Sequence, residues 1–162
     1  MEQIQQTGEK NGVKRSPLVD ERGVPLSIVV EAANVHDVKL LEATLDGIVI
    51  ERPEPTEENP QNLCLDAAYV GEKHAETVAQ RGYVLHIRPR NEEAKEIEHN
   101  PEFKARRWVV EVFHSWINRF RKLLVRYEKK LKNFRGLLQF ACAIITWRQI
   151  VWVHKGNPNY DF

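Results

Sequence analysis

Asn62-Leu63-Cys64-Leu65-Asp66 is the stretch on which the fold turns. It is short, apolar and closed by a carboxylate, so it reads as a buried strand rather than a helix. Downstream, Ala67-Ala68-Tyr69 leads into Glu72–Arg81, which has helical composition and is stopped by Gly82. Tyr83 to Ile87 is a further strand, and Arg88 to Pro101 a charged, proline-bounded linker. Upstream, Arg52 to Gln61 holds Pro53, Pro55 and Pro60 with three glutamates, a surface loop that can be neither helix nor central strand. Before it come the short apolar run Ile48 to Ile50 and a helix behind Asn34 or Asp37, either of which could cap it, with Val38, Leu41 and Leu45 at helical spacing. Ser16 to Asp20 and Pro25 to Glu31 are apolar, β-branched runs joined by Asp20-Glu21-Arg22-Gly23, the chemistry of a β-hairpin turn.

Beyond the linker the period changes. From about Glu102 to Glu128 a helical stripe runs through Trp108, Val112, Trp116 (or Ile117), Phe120 and Leu124. A last helix, roughly Asn133 to Trp152, is apolar nearly all round and is expected to be buried. Strands alternating with helices in this order imply an α/β layer fold with a mixed sheet. Residues 1–13 read as a flexible tail, 14–152 as one domain and 153–162 as a second tail.

Composition narrows the class. No stretch approaches 18 consecutive apolar residues, so no membrane span is expected. Met1 to Lys10 is too polar for a secretory signal. Cys64 and Cys142 lie in apolar runs and read as reduced, buried thiols, which suits a cytoplasmic protein. No Cys or His spacing suggests a zinc site. The four tryptophans, Trp108, Trp116, Trp147 and Trp152, read as core.

The net charge of +1 conceals an asymmetry. Between Lys104 and Arg135 the bases are Lys104, Arg106, Arg107, Arg119, Arg121, Lys122, Arg126, Lys129, Lys130, Lys132 and Arg135, against Glu111 and Glu128 alone. That is the pattern of a polyanion-binding face, or of a solvated helix face. Two acids stand out. Asp66 ends a strand, where α/β sheets gather ligands, although a helix-capping role fits as well. Glu111 sits among bases, where i,i+4 pairing with Arg107 would also account for it. Together, two carboxylates beside a basic helix suit a magnesium-dependent reaction on phosphodiesters, because Mg²⁺ takes hard oxygen ligands and such sites usually gather three acids.

Three segments carry a family resemblance. Gly23-Val-Pro-Leu26 with Ala33-Asn34-Val35-His36-Asp37, then Leu63-Cys-Leu-Asp66-Ala-Ala-Tyr69, then Arg106-Arg-Trp-Val-Val-Glu111 through Arg121, resemble in order and spacing the DDE transposases of the IS-five group. The resemblance runs from about Gly8 to Gln149. It implies an RNase H-like fold and DNA cleavage and strand transfer with Mg²⁺ or Mn²⁺. It makes Asp66 and Glu111 the second and third acids of a metal-binding triad. Lys104, Arg106, Arg107, Asn118, Arg119, Arg121, Lys122 and Arg126 become DNA contacts, with Arg107 at the family's arginine position. The family's first Asp lies on a strand ahead of the hairpin, and Met1 to Val13 contains no Asp. The resemblance therefore implies an N-terminally truncated domain. The missing acid would come from an upstream-frame transposase half, or else the chain is a catalytically inactive DNA-binding remnant; self-association is a further expectation.

Overall fold

A computed structural model describes residues 12–87 and 108–154, without the side chains of Asp37 and Trp108. Most of both expected tails, the charged linker, and Lys104, Arg106 and Arg107 lie outside the described residues. Four strands and five α-helices are described: β1 (Val13–Val19), β2 (Pro25–Ala32), α1 (Leu41–Asp46), β3 (Gln61–Leu65), α2 (Glu72–Ala79), β4 (Tyr83–Ile87), α3 (Trp108–Asn118), α4 (Arg121–Leu124) and α5 (Leu131–His154).

The hairpin forms as its turn chemistry dictates. β1 and β2 pair antiparallel, Val13 opposite Ala32 and Pro17 opposite Ile28. Asp20 Oδ1 accepts hydrogen bonds from the amides of Arg22 (2.9 Å) and Val24 (2.8 Å). Gly23 takes φ +83°, a conformation that L side chains resist. It also sits where an added Cβ would come within 3.3 Å of the Trp116 ring, so the glycine lets α3 close onto the turn.

Strand parity divides the hairpin between two cores. Val13, Val19 and Ile28 pack beside Val30 on a core built with Phe113, Trp116 and Ile117 of α3, Leu123 of α4, and Phe134, Leu138, Ala141 and Ile145 of α5. The other face meets α1, where the Ser16 and Thr44 hydroxyls lie 2.9 Å apart and Thr44 donates to the Leu40 carbonyl at 2.7 Å. Leu18 reaches from that face into a second, smaller core of Leu41, Leu45, Leu63 and Val78. α1 thus bridges the hairpin to β3, β4 and α2, and Arg81 reinforces the bridge by donating to both Asp46 carboxylate oxygens at 2.8 and 3.0 Å.

Several expectations are corrected. The strands form two separate ladders among the described residues, β1–β2 antiparallel and β3–β4 parallel, rather than one mixed sheet. β3 is buried on one face only: Leu63 is buried and Leu65 half-buried, while Asn62, Cys64 and Asp66 are exposed. Cys64 is therefore not the buried thiol expected, whereas Cys142 is partly buried against the larger core. Neither Asn34 nor Asp37 caps α1; a 3₁₀ turn over Asp37–Leu40 precedes it, flanked by His36 without a side-chain capping bond.

The single helix expected from Glu102 to Glu128 breaks at Phe120, whose backbone is extended (φ −81°, ψ 96°). The break re-aims the chain so that Leu123 is buried and Leu124 is left exposed. Finally, α5 is not buried all round. One stripe packs inward, while Phe140 (66% exposed) and Trp147 (67%) face solvent. α5 is long and apolar enough to cross a membrane by length and composition, yet its inward stripe is what holds the larger core together.

Candidate functional site

α3 carries the site because its two faces differ. Val109, Phe113, Trp116 and Ile117 are buried. The opposite stripe, Glu111, His114, Ser115, Asn118 and Arg119, lines an open groove of about 550 Å³. These positions recur at the i, i+3, i+4, i+7 spacing that sets side chains one above another. Glu111 lies in the first turn, where a carboxylate is favoured by the helix dipole. Asn118 stands at the end of the helix and Arg119 just beyond it, so the groove runs from an acid to an amide and a base.

His114 is half-buried in this groove wall. Burial pushes its pKa below the ordinary value, and the nearby positive charge of Arg15 pushes the same way, so the ring is neutral at pH 7. Arg15 was not singled out by sequence reasoning. It projects from β1 with the parity of Val13 and Val19, toward the larger core, and burial lowers its pKa. Its Nη1 is sealed from solvent and has no hydrogen-bond partner. The signal was available: a base at an inward-facing position of an alternating strand is unusual, because burying a charge without a partner costs several kcal/mol or so. The same guanidinium slightly offsets the burial that raises Cys142 to a pKa of about 11.

Asp66 stands on a different element. It follows β3 with extended backbone (φ −70°, ψ 158°) and precedes a 3₁₀ turn over Ala67–Tyr69 without making a side-chain capping bond to it. The capping explanation for this acid is therefore not met. Its carboxylate lies on the exposed face of the β3–β4 ladder, which also carries Asn62 and His86; the His86 Nε2 is 2.7 Å from the Asn62 Oδ1. Asp66 does not line the groove that holds Glu111.

The sequence-derived basic residues separate into groups. Asn118 and Arg119 line the groove, and Arg121 and Lys122 are exposed on α4. Arg126 is engaged locally: it donates to the carbonyls of Glu128 (3.1 Å) and Lys129 (3.2 Å) and lies over the Phe134 ring. It shapes the loop into α5, and fewer of its donors remain for a ligand. For a magnesium ion the donor chemistry of Asp66 and Glu111 is right, but the number is short. Among the described residues no three His, Cys, Asp or Glu side chains gather as a metal site.

Comparison with known proteins bears on what such a helix is for. Residues 2–146 match the transposase DDE domain family, which includes every element described above except the end of α5. The chain belongs to that family. It is also 30% identical over 142 residues to a protein of Burkholderia cepacia described as a transposase for insertion sequence element IS402. The match covers 86% of this chain and 64% of that relative, so the chain spans just under two thirds of the relative's length. No solved structure matches. The mixed α/β architecture, with small sheets packed on helices, accords with a domain of this family.

Proposed function

We propose that this chain is the acidic-residue-bearing part of a DNA transposase of the DDE type, of the IS-five group, acting at the ends of an insertion sequence. The observation that carries the reading is the groove along α3: an exposed carboxylate, Glu111, lines it together with Asn118 at the end of the helix and Arg119 just beyond, inside the segment that matches the family. In this reading Asp66 and Glu111 are the second and third acids of an RNase H-like site. Lys104, Arg106, Arg107, Asn118, Arg119, Arg121 and Lys122 hold the DNA backbone, Arg107 as a forked donor suited to phosphate. A bound divalent ion, Mg²⁺ or Mn²⁺, would supply stabilisation of charge on the phosphate oxygens.

The chain's own part is positional. Basic side chains seat the phosphates beside the two acids, and neutral His114 adds no charge to the groove. Hydrolysis places a water oxygen on phosphorus and releases the sugar oxygen; strand transfer repeats the exchange with a DNA hydroxyl as the attacking group. Among the described residues no three such side chains gather and Asp66 does not line the Glu111 groove, so the reading needs the two acids brought together and a third supplied from another strand, from an upstream-frame half or a longer chain. The test is nicking of element-end DNA in Mg²⁺ or Mn²⁺, with and without a chain supplying the upstream segment. Cleavage lost in both Asp66→Asn and Glu111→Gln supports the reading, and no cleavage under any of these conditions contradicts it.

The shortage of a third acid favours a second reading, a DNA-binding remnant without catalysis. It expects binding that weakens steeply with salt, without cleavage. Absence of binding at low salt would remove both readings.

A further inference from the structure

The basic run continues past the groove. Between α4 and α5 the chain turns through an elbow, residues 125–130, whose charges are sorted. Arg126 folds back on the elbow itself: its guanidinium donates to the Glu128 and Lys129 carbonyls at 3.1 and 3.2 Å and lies over the Phe134 ring. Glu128 is the sole acid of the sequence between Asn118 and His154, and its carboxylate accepts a hydrogen bond from the Asn133 amide at 3.2 Å. Lys129, Lys130 and Lys132 are left exposed, and among the described residues none of the three is in an ion pair.

Apolar surface lies open among these charges. Tyr127 is 64% exposed, Leu124 57% and Val125 54%. The combination narrows what the elbow can hold. Protein–protein interfaces are depleted in Lys, whereas surfaces for nucleic acid are strongly positive and, for single strands, add aromatic faces on which bases stack. Phosphates alone call for no aromatic ring. In a duplex the base faces are stacked on one another, so a surface ring finds a base face where the strand is unpaired.

We propose that the elbow between α4 and α5 binds an unpaired stretch of DNA, with Tyr127 stacking on a base while Lys129, Lys130 and Lys132 hold the flanking phosphates. The assignment rests on the DNA reading above and extends it to a second contact surface, since none of these four residues lines the Glu111 groove. Arg126 takes no part in touching the strand; its hydrogen bonds fix the loop from which Tyr127 and the lysines project.

Fluorescence anisotropy of a labelled thymidine strand of about 20 nucleotides, titrated with the full chain between about 50 and about 200 mM salt, tests it. Tyr127→Ala should weaken strand binding about tenfold at every salt concentration and leave binding to a fully paired duplex unchanged. Tyr127→Phe, which keeps the ring, should bind as the wild type. The triple variant Lys129→Gln, Lys130→Gln, Lys132→Gln should lower the salt slope for the strand by about two, at roughly 0.7 for each phosphate released. Lys73→Gln, exposed on α2, should leave the slope unchanged. All the substituted side chains are exposed, and circular dichroism melting checks that the variants keep the fold. No strand binding by the wild type, binding that survives Tyr127→Ala, or a duplex weakened as much as the strand overturns the proposal, while cleavage at the element end stands or falls by its own test. Phosphatidylserine vesicles that bind more tightly than the strand through the same lysines would assign the elbow to a membrane surface and overturn it as well.

Discussion

The two cores differ in how much of themselves they bury. Among the described residues the hairpin, α3, α4 and α5 share nine buried side chains, with Phe113, Phe134 and Ile117 among the largest. The β3–β4 ladder, with α1 and α2, shares four and leaves one sheet face open to solvent. Glu111 thus rides on the well-anchored unit, and Asp66 on the lightly anchored one. A site that needs both acids needs the lighter unit held in place, and α1, Leu18 and the Arg81–Asp46 pair are what hold it.

The sharpest way to break this contrast is to empty each core in turn. Phe113→Ala should cost about 3–5 kcal/mol and unfold both units together. Leu63→Ala should cost nearer the low end of roughly 2–5 kcal/mol, with amide exchange rising first in β3 and β4 while α3 and α5 stay protected. Equal protection of the two ladders in the native protein would show that the cores are not distinct.

A smaller effect is expected at the hairpin turn. Gly23→Ala forces a Cβ into positive φ against the Trp116 ring and should cost about 1–3 kcal/mol in chemical denaturation. Arg15→Leu works in the opposite direction. Removing a guanidinium with one sealed, unpartnered nitrogen should raise stability by about 1 kcal/mol, at the low end because the rest of the group is partly hydrated. A loss of stability there would mean that Arg15 has a partner in solution.

The smallest effect concerns acid. The folded-state pKa of His114 lies below its ordinary 6.5, so the unfolded chain binds the proton more readily. The contribution of His114 to stability is complete above pH 6.5 and is lost as pH falls through the lower folded value. His114→Gln should flatten the pH dependence of denaturation below 6.5, and an unchanged slope would place the acid sensitivity elsewhere.

What could be read in the sequence follows from how local the causes are. The hairpin was legible because Asp20 and Gly23 dictate the turn within four residues. The strand, helix, strand order of β3, α2 and β4 was legible from composition and the Gly82 stop. The break at Phe120 was not, because apolar periodicity continues through it and only the docking of Leu123 into the larger core interrupts the helix. The outer stripe of α5 was hidden for a related reason: a helix apolar all round does not say which side is covered. Cys64 illustrates a signal passed over, since Asn62, Cys64 and Asp66 alternate with Leu63 and Leu65 and so mark a strand with one open face. For the site, the residue types of Asp66 and Glu111 were readable, but which groove each lines depends on packing between distant elements.

The central claim is that Asp66 and Glu111 serve one divalent ion beside DNA phosphate, a ligand set of one or two carboxylates with phosphate oxygens that such ions accept. Electron paramagnetic resonance of Mn²⁺ titrated into the chain with element-end DNA measures this directly. The account expects a bound Mn²⁺ signal that disappears in Asp66→Asn and equally in Glu111→Gln. Mn²⁺ binding that persists in either variant would contradict it.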